Sequence, residues 1–159
     1  MDFELTPEQR DLRALARKLA DAVFAPRAAK WDALEEYPWE NVKDLVGAGL
    51  MGMTVPAEHA GADRPVLDVV LVIEEIARAC GITARIVVEG SLGVVGALRT
   101  YGTDAQKRRY FPWVLDGEKP AIAISEPAAG SAATDLETRA EEAPGGFRLT
   151  GHKCWIRSE

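Results

Sequence analysis

The chain has few of the residues that build disulfide or metal frameworks. It contains two cysteines, Cys80 and Cys154, and two histidines, His59 and His152, among 159 residues. Two cysteines far apart in sequence are not the dense framework of a small secreted domain, so we interpret both as reduced thiols. Neither histidine has a partner at metal-ligand spacing, and no metal site is predicted.

Long apolar runs and clustered positive charge are also missing. The longest uninterrupted apolar run, residues 69–73, is far shorter than the roughly 20 residues that span a bilayer. The first residues lack a basic-then-apolar signal pattern. Lys and Arg total 19 against 25 Asp and Glu, a net charge of −6, and an acidic chain repels phosphate backbones. We therefore expect a soluble, cytoplasmic protein with no membrane span and no nucleic-acid partner.

What is present in the first two-thirds of the sequence is typical of helices. Thr6–Gln9 and Thr103–Gln106 each match a capping box, in which two side chains satisfy backbone donors at a helix start. Residues 82–100 are apolar almost all round, which is typical of a central helix in a bundle. In the segment before them, helical spacing predicts an inward face made of Val66, Val69, Val70, Ile73 and Ala77.

The periodicity changes after about residue 118. Residues 121–125 resemble a short strand, and 136–143 and 147–156 alternate weakly around a Pro-Gly-Gly turn that suits a hairpin. The sequence therefore predicts an α+β protein, with a helical domain over residues 1–118 and the first strands of an antiparallel β domain over 119–159. Because a small open sheet exposes its edges, we expect it to need more chain or a partner.

Three motifs favour structural explanations. Residues 47–52 match G-x-G-x-x-G, but they follow a helical stripe instead of a strand, so we interpret them as a helix end. Glycines 90, 93 and 96 favour close helix packing over ligand contact. Glu74 and Glu75 could form an acid–base pair, although we expect at least one of them to lie on the surface.

Two later segments point to a planar cofactor. Residues 125–131, Ser-Glu-Pro-Ala-Ala-Gly-Ser, would expose successive amides and hydroxyls at a strand end, where they could hold a flavin edge or a phosphate. Residues 151–156 follow and carry Trp155, whose indole could stack on a flat ring. An ordinary loop and a core tryptophan remain the alternatives for each segment alone.

Together and in this order, these segments resemble the acyl-CoA dehydrogenase family. The resemblance covers the whole chain and is carried by residues 3–9, 49–56, 74–77, 101–107, 125–131 and 153–156. It implies a helical N-terminal domain, a central β domain and a C-terminal helical bundle, usually in an oligomer. It also implies FAD as cofactor, an acyl-CoA or acyl-carrier thioester as substrate, and reoxidation by electron-transfer flavoprotein.

The resemblance also implies roles for particular residues. The main chain of four residues would line the flavin: Ile122, Ala123, Ile124 and Ser125, the last adding its hydroxyl. Gly130 and Ser131 would lie at the flavin–substrate boundary, with Ser131 near the CoA portion. Trp155 would pack on the ring system with Ile156 beside it, and Arg157 stands where the family often has a threonine or serine facing flavin N5.

The family reaction converts an acyl thioester to its 2,3-enoyl form, as in fatty acid metabolism. Its catalytic carboxylate normally lies in the C-terminal bundle, which this sequence does not contain, so no catalytic base is assigned and we expect the chain to be inactive alone. Three alternatives stay open: a flavin monooxygenase or oxidase on the same scaffold, a non-catalytic subunit that pairs with a complementary chain in a homo- or hetero-oligomer, and a fragment.

Overall fold

The computed structural model describes residues 4–119 and 121–156, which fall into two compact units divided at residue 120. The first unit is helical and the second contains a two-stranded antiparallel sheet. This mixture confirms the predicted α+β class.

The helical unit contains seven α-helices within its described residues, together with two π-helical turns and one 3-10 turn, Ala57–His59. The α-helices are α1 (Pro7–Leu19), α2 (Ala25–Leu34), α3 (Trp39–Gly47), α4 (Val66–Ala77), α5 (Gly81–Val88), α6 (Val94–Tyr101) and α7 (Asp104–Leu115).

Both predicted capping boxes are confirmed. At α1, the Gln9 amide donates to the Thr6 hydroxyl at 3.2 Å, and the Thr6 amide donates to the Gln9 side chain at 3.1 Å. At α7, Thr103 and Gln106 make the same pair of bonds at 3.3 and 2.8 Å. Each box satisfies two donors that the helix itself leaves without a partner.

The two π-helical turns join α-helices into longer rods. Ala20–Phe24 lies between α1 and α2, and Pro26, the second residue of α2, has no N–H to donate to this turn. Glu89–Gly93 lies between α5 and α6. The resulting rod, Gly81–Tyr101, is long and apolar enough to cross a membrane by length and composition alone. Its buried side chains, which include Ile86, pack within the helical unit.

The main apolar core lies between α1, α3, α4 and α5. Phe24, Leu45, Met53, Ile76 and Val87 are its central side chains, each at most 1% exposed. A smaller cluster is formed by Val55, Val95, Phe111 and Val114.

The glycine motifs behave mainly as structural elements. Helix α3 ends at Gly47, and Gly49 has φ +70°, a left-handed conformation that suits a helix end. The interpretation of residues 47–52 as a helix end is therefore confirmed. At Gly90, an added Cβ would come within 2.7 Å of Met51 Cε, the end of a side chain in the loop after α3, and the same position at Gly96 is open. Neither glycine shows the predicted close helix–helix packing.

The inward face of α4 differs in part from the predicted one. Val69 is fully buried and Ile73 half-buried, but Val66 and Val70 are 59% and 46% exposed and Ala77 is exposed as well. Asp68 and Glu75 are buried instead, at 3% and 2% exposure. Residues on α1 provide partners for both carboxylates, and Arg64 and Arg78 at the two ends of α4 add ion pairs. Apolar spacing along α4 alone carries no information about these partners.

Glu75 is the principal ionic link between α4 and α1. Its carboxylate accepts from Arg13 Nε at 2.7 Å and from Arg17 Nε at 2.8 Å, and Arg17 Nη2 adds a bond at 3.0 Å. The bonds from Arg17, followed by those from Arg13, lower the pKa of Glu75 from its ordinary 4.5 to about 2, against the opposing effect of burial. Glu74 is exposed, which agrees with a surface position for one member of the acidic pair.

Replacing Glu75 with glutamine should destabilise the helical unit. The amide cannot accept charge-assisted bonds from two arginines, and we expect the free energy of unfolding to fall by about 2 kcal/mol in urea titrations. Glu74→Gln is the matched control, because it removes the same charge from the adjacent exposed position, and it should change stability by less than about 0.5 kcal/mol. Equal effects of the two substitutions would contradict the assigned role.

The contribution of Glu75 should also depend on pH. The pKa is depressed in the folded state, so the stabilisation is complete above the unfolded value near 4.5 and is lost as pH falls toward about 2. The stability difference between the wild type and Glu75→Gln should therefore shrink across that interval. Urea titrations at a series of pH values test this, and a difference that stays constant down to the lower limit would refute it.

Candidate functional site

The described residues of the second unit include a hairpin, β1 (Arg139–Ala143) paired with β2 (Gly146–Thr150). Glu142 faces Phe147, and Gly145 in the turn has φ +84°, which favours glycine. Phe147 and Leu149 are 69% and 74% exposed. The predicted hairpin is confirmed, with strands shorter than the sequence suggested.

Residues 121–125 are not a strand in the described part of the chain. The main-chain bond that reaches them there runs from the Cys154 amide to the Ser125 carbonyl, at 3.0 Å. One such bond does not make a ladder, and the alternating apolar residues Ile122 and Ile124 remain 47% and 50% exposed. The prediction of a strand was therefore wrong for this segment, since a strand requires a neighbour that its own sequence does not supply.

Glu126 is the buried centre of this unit, at 6% exposure. Its carboxylate accepts from the amides of Glu137 and Thr138 at 2.7 and 3.1 Å and from the Thr138 hydroxyl. Lys153 Nζ completes the set at 2.8 Å. Lys153, followed by the Thr138 hydroxyl and the Glu137 amide, lowers the pKa of Glu126 from 4.5 to about 2.

Lys153 joins the two segments that the sequence singled out. Its ammonium also donates to the Ile124 carbonyl at 3.0 Å, and the neighbouring Cys154 amide donates to Ser125. The structure thus brings Ile124 and Ser125 next to the segment that carries Trp155. The pairing of these segments through Lys153 and Glu126 was missed by the sequence reasoning, although one acid and one base in otherwise uncharged motifs was an available signal.

The predicted cofactor residues form an accessible surface. Trp155 is 89% exposed and has φ +59°, Ile156 is half-buried, and Ala123 is exposed. Ser131 is exposed as well, in the loop beyond Gly130. Arg157 lies outside the described residues.

The polar groups available on this surface include several donors. Within residues 121–156, the amides of 123–125 and the hydroxyls of Ser125 and Ser131 make no hydrogen bond, whereas the carbonyls of Ile124 and Ser125 are occupied. A flavin ring edge presents carbonyl oxygens and ring nitrogens that accept hydrogen bonds. Exposed isoleucine and indole side chains offer apolar contact to its faces. The donor set and the apolar surface therefore fit FAD.

The helical unit has a separate cavity of about 440 Å³ lined in part by Arg64, Arg99 and Ser91. Arg99 pairs with Asp63 at 3.4 Å and donates to the Thr54 carbonyl at 2.7 Å. Arg64 pairs with Asp68, also at 3.4 Å. Both guanidinium groups are therefore compensated, and the cavity presents no unbalanced charge that would identify a ligand.

Comparison with known proteins decides the family. Residues 6–118 match the model of the acyl-CoA dehydrogenase N-terminal domain. The chain belongs to the acyl-CoA dehydrogenase family. This membership confirms the resemblance that the sequence motifs indicated.

Individual relatives extend the comparison beyond the helical unit. The chain is 49% identical over 97% of its length to a 3-sulfinopropanoyl-CoA desulfinase of Cupriavidus necator. It is 33% identical over 98% of its length to a short-chain specific acyl-CoA dehydrogenase of Clostridium acetobutylicum. The structure of butyryl-CoA dehydrogenase from Megasphaera elsdenii matches 98% of the chain with a TM-score of 0.87 and 28% identity. The chain spans 39%, 41% and 42% of these three proteins, respectively.

Gly130 provides a test of ligand proximity in this acyl-CoA dehydrogenase family member. An added Cβ at Gly130 meets no atom within 4 Å, so Gly130→Ala should leave the free energy of unfolding within about 0.5 kcal/mol of the wild type. If the flavin approaches this loop, the same methyl group should weaken FAD binding severalfold in a fluorescence titration.

Gly145→Ala is the contrasting variant. Its Cβ also meets nothing, but its left-handed φ of +84° penalises a side chain. It should destabilise the hairpin without a direct effect on a ligand beside Gly130. A Gly130→Ala variant with unchanged FAD affinity would count against a flavin at this loop.

Proposed function

We propose that this chain provides the helical domain and the flavin-contacting segments of an FAD-dependent enzyme that acts on an acyl-CoA or acyl-carrier thioester. The observation that carries the proposal is the junction of residues 122–125 with 153–156 through Lys153, which gathers unpaired donors beside the exposed indole of Trp155. Family membership supports the same assignment.

Each group would have a limited task at this site. The amides of 123–125 and the Ser125 hydroxyl would orient the ring edge by donating hydrogen bonds. Trp155 and Ile156 would cover an apolar face and exclude water from it, with Arg157 following them. Gly130 would leave room at the boundary with the substrate, and Ser131 would donate toward the CoA portion.

The first candidate reaction is 2,3-dehydrogenation of the thioester. FAD, when bound, would take up the hydride that leaves the β-carbon while a base removes the α-proton. We assign none of the described residues as that base. Glu126 is buried, and its carboxylate already accepts four hydrogen bonds within the chain. We therefore propose that the 159-residue chain is inactive alone.

The second candidate reaction is removal of sulfinate from a 3-sulfinoacyl-CoA. The 49% identity to the Cupriavidus necator desulfinase, against 33% to the Clostridium acetobutylicum dehydrogenase, favours it. Hydrolytic cleavage balances without an electron acceptor: the C–S bond breaks, water supplies the oxygen that converts the sulfur group to sulfite, and a proton replaces sulfur on carbon. Dehydrogenation, in contrast, requires an acceptor for two electrons.

The family resemblance supports further proposals about the setting of the reaction. If dehydrogenation is the activity, electron-transfer flavoprotein would accept the electrons, and the pathway would belong to fatty acid metabolism. The protein would work as a homo- or hetero-oligomer in the cytoplasm. A monooxygenase or oxidase reaction, or a non-catalytic role beside a complementary chain, would replace these expectations if the assays below are negative.

The proposal predicts FAD binding and a specific reaction in chimaeras. The purified chain should bind FAD, with quenching of indole fluorescence and a visible flavin spectrum, but should not turn over a thioester. In one chimaera, this chain replaces the aligned region of the Cupriavidus necator desulfinase. If desulfination is the function of the chain, the chimaera should still release sulfite from a 3-sulfinoacyl-CoA without an electron acceptor.

The matched chimaera uses the Clostridium acetobutylicum dehydrogenase. If dehydrogenation is the function of the chain, this second chimaera should instead reduce an artificial electron acceptor when it is given an acyl-CoA. Failure of the wild-type chain to bind FAD in the titration would remove the cofactor proposal. Acceptor reduction by the isolated chain would show that the base lies within these 159 residues.

A further inference from the structure

Trp155 occupies a position that its own packing does not explain. Its side chain is 89% exposed and its backbone adopts φ +59°, which is unfavourable for a residue with a side chain. The residues before it are attached elsewhere: Cys154 to the Ser125 carbonyl, and Lys153 to Ile124 and Glu126. Hydrogen bonds on its N-terminal side therefore fix the backbone position from which the indole projects.

Glu126 differs from an ordinary surface ion-pair partner. It is buried, and two of its donors are backbone amides, those of Glu137 and Thr138. Backbone amides can only donate, so this site requires an acceptor whatever the charge of the group at position 153. The amides of Glu137 and Thr138 fix the Glu126 carboxylate, and Lys153 attaches the 153–156 segment to it.

We propose that Glu126 is a positioning residue for the flavin, which ties the 125–131 loop and the 153–156 segment to the start of the hairpin and thereby fixes Trp155 and the donor amides of residues 123–125. This inference rests on the proposed FAD site. Lys153 acts with Glu126 as the link between the two flavin-contacting segments. Neither residue touches the reacting atoms, and the carboxylate acts through its hydrogen bonds.

Three variants of the full chain test the proposal. Glu126→Gln keeps the shape but removes the charge, and Lys153→Met removes the link while leaving the backbone donors of Glu126 satisfied. The double exchange Glu126→Lys with Lys153→Glu keeps one charge of each sign. Glu142→Gln is the control, because it removes the same charge from an exposed strand position in the same unit.

FAD affinity is the first measurement. Loss of one or two bonds to a charged group predicts about a 10- to 100-fold increase in Kd for Glu126→Gln, and about tenfold for Lys153→Met. The double exchange should not restore affinity, because a lysine at position 126 cannot accept from the two amides. Glu142→Gln should bind FAD as the wild type does.

Two further readouts separate positioning from loss of the fold. At saturating FAD, the visible flavin spectrum of Lys153→Met should differ from the wild type, because donors and indole are displaced. Hydrogen exchange without FAD should accelerate at the Cys154 amide in Lys153→Met while the hairpin bonds between β1 and β2 keep their wild-type exchange rates.

The outcomes are distinguishable. A wild-type chain that binds no FAD overturns the proposed function, and the exchange data then decide alone whether Glu126 and Lys153 tie the segments. A wild type that binds FAD, with Glu126→Gln and Lys153→Met binding equally well, overturns the positioning role. Restoration by the double exchange also overturns it, since a simple ion pair would then suffice.

Discussion

A carboxylate taken out of water must find donors, and the two carboxylates that do so most completely organise the two units of this protein. Glu75 receives Arg13 and Arg17 and joins α4 to α1, whereas Glu126 receives Lys153, two amides and a hydroxyl. In both cases the ionised form is favoured because hydrogen bonds to it outweigh the cost of burial. Each unit therefore depends on a buried acidic side chain, and the spacing of apolar residues in the sequence does not predict that burial.

The two carboxylates have different consequences for function. The partners of Glu75 are side chains: Arg13 and Arg17 on α1, and Arg78 at the end of α4. Its role ends with the packing of α1 on α4. Two of the four donors to Glu126 are main-chain amides, those of Glu137 and Thr138, and Lys153 extends the same network to the Ile124 carbonyl. A carboxylate with these partners fixes the position of the backbone. Because its pKa is about 2, Glu126 is too weak a base to take a proton near neutral pH.

Much of the fold was predictable because its signals are local. The capping boxes at Thr6 and Thr103 and the turn at Gly145 each depend on residues within a few positions of one another. The exposed Val66 and the absent strand at residues 121–125 show where such reasoning fails, since burial and strand pairing both depend on a distant neighbour. Of the candidate site, the sequence located the two segments through their motifs, but it did not identify Glu126 and Lys153 as the contact between them.

The sequence by itself determined the helix starts, the hairpin turn, the family and the segments expected to meet a flavin, because each is written in a short run of residues or an ordered set of motifs. Only the tertiary structure decided which face of α4 is buried, which carbonyls of residues 124 and 125 are already occupied, and which amides remain to donate. These properties are set by groups tens of positions away in the chain. A hydrogen bond needs atoms to meet at about 3 Å, and only the folded backbone brings such groups to that distance.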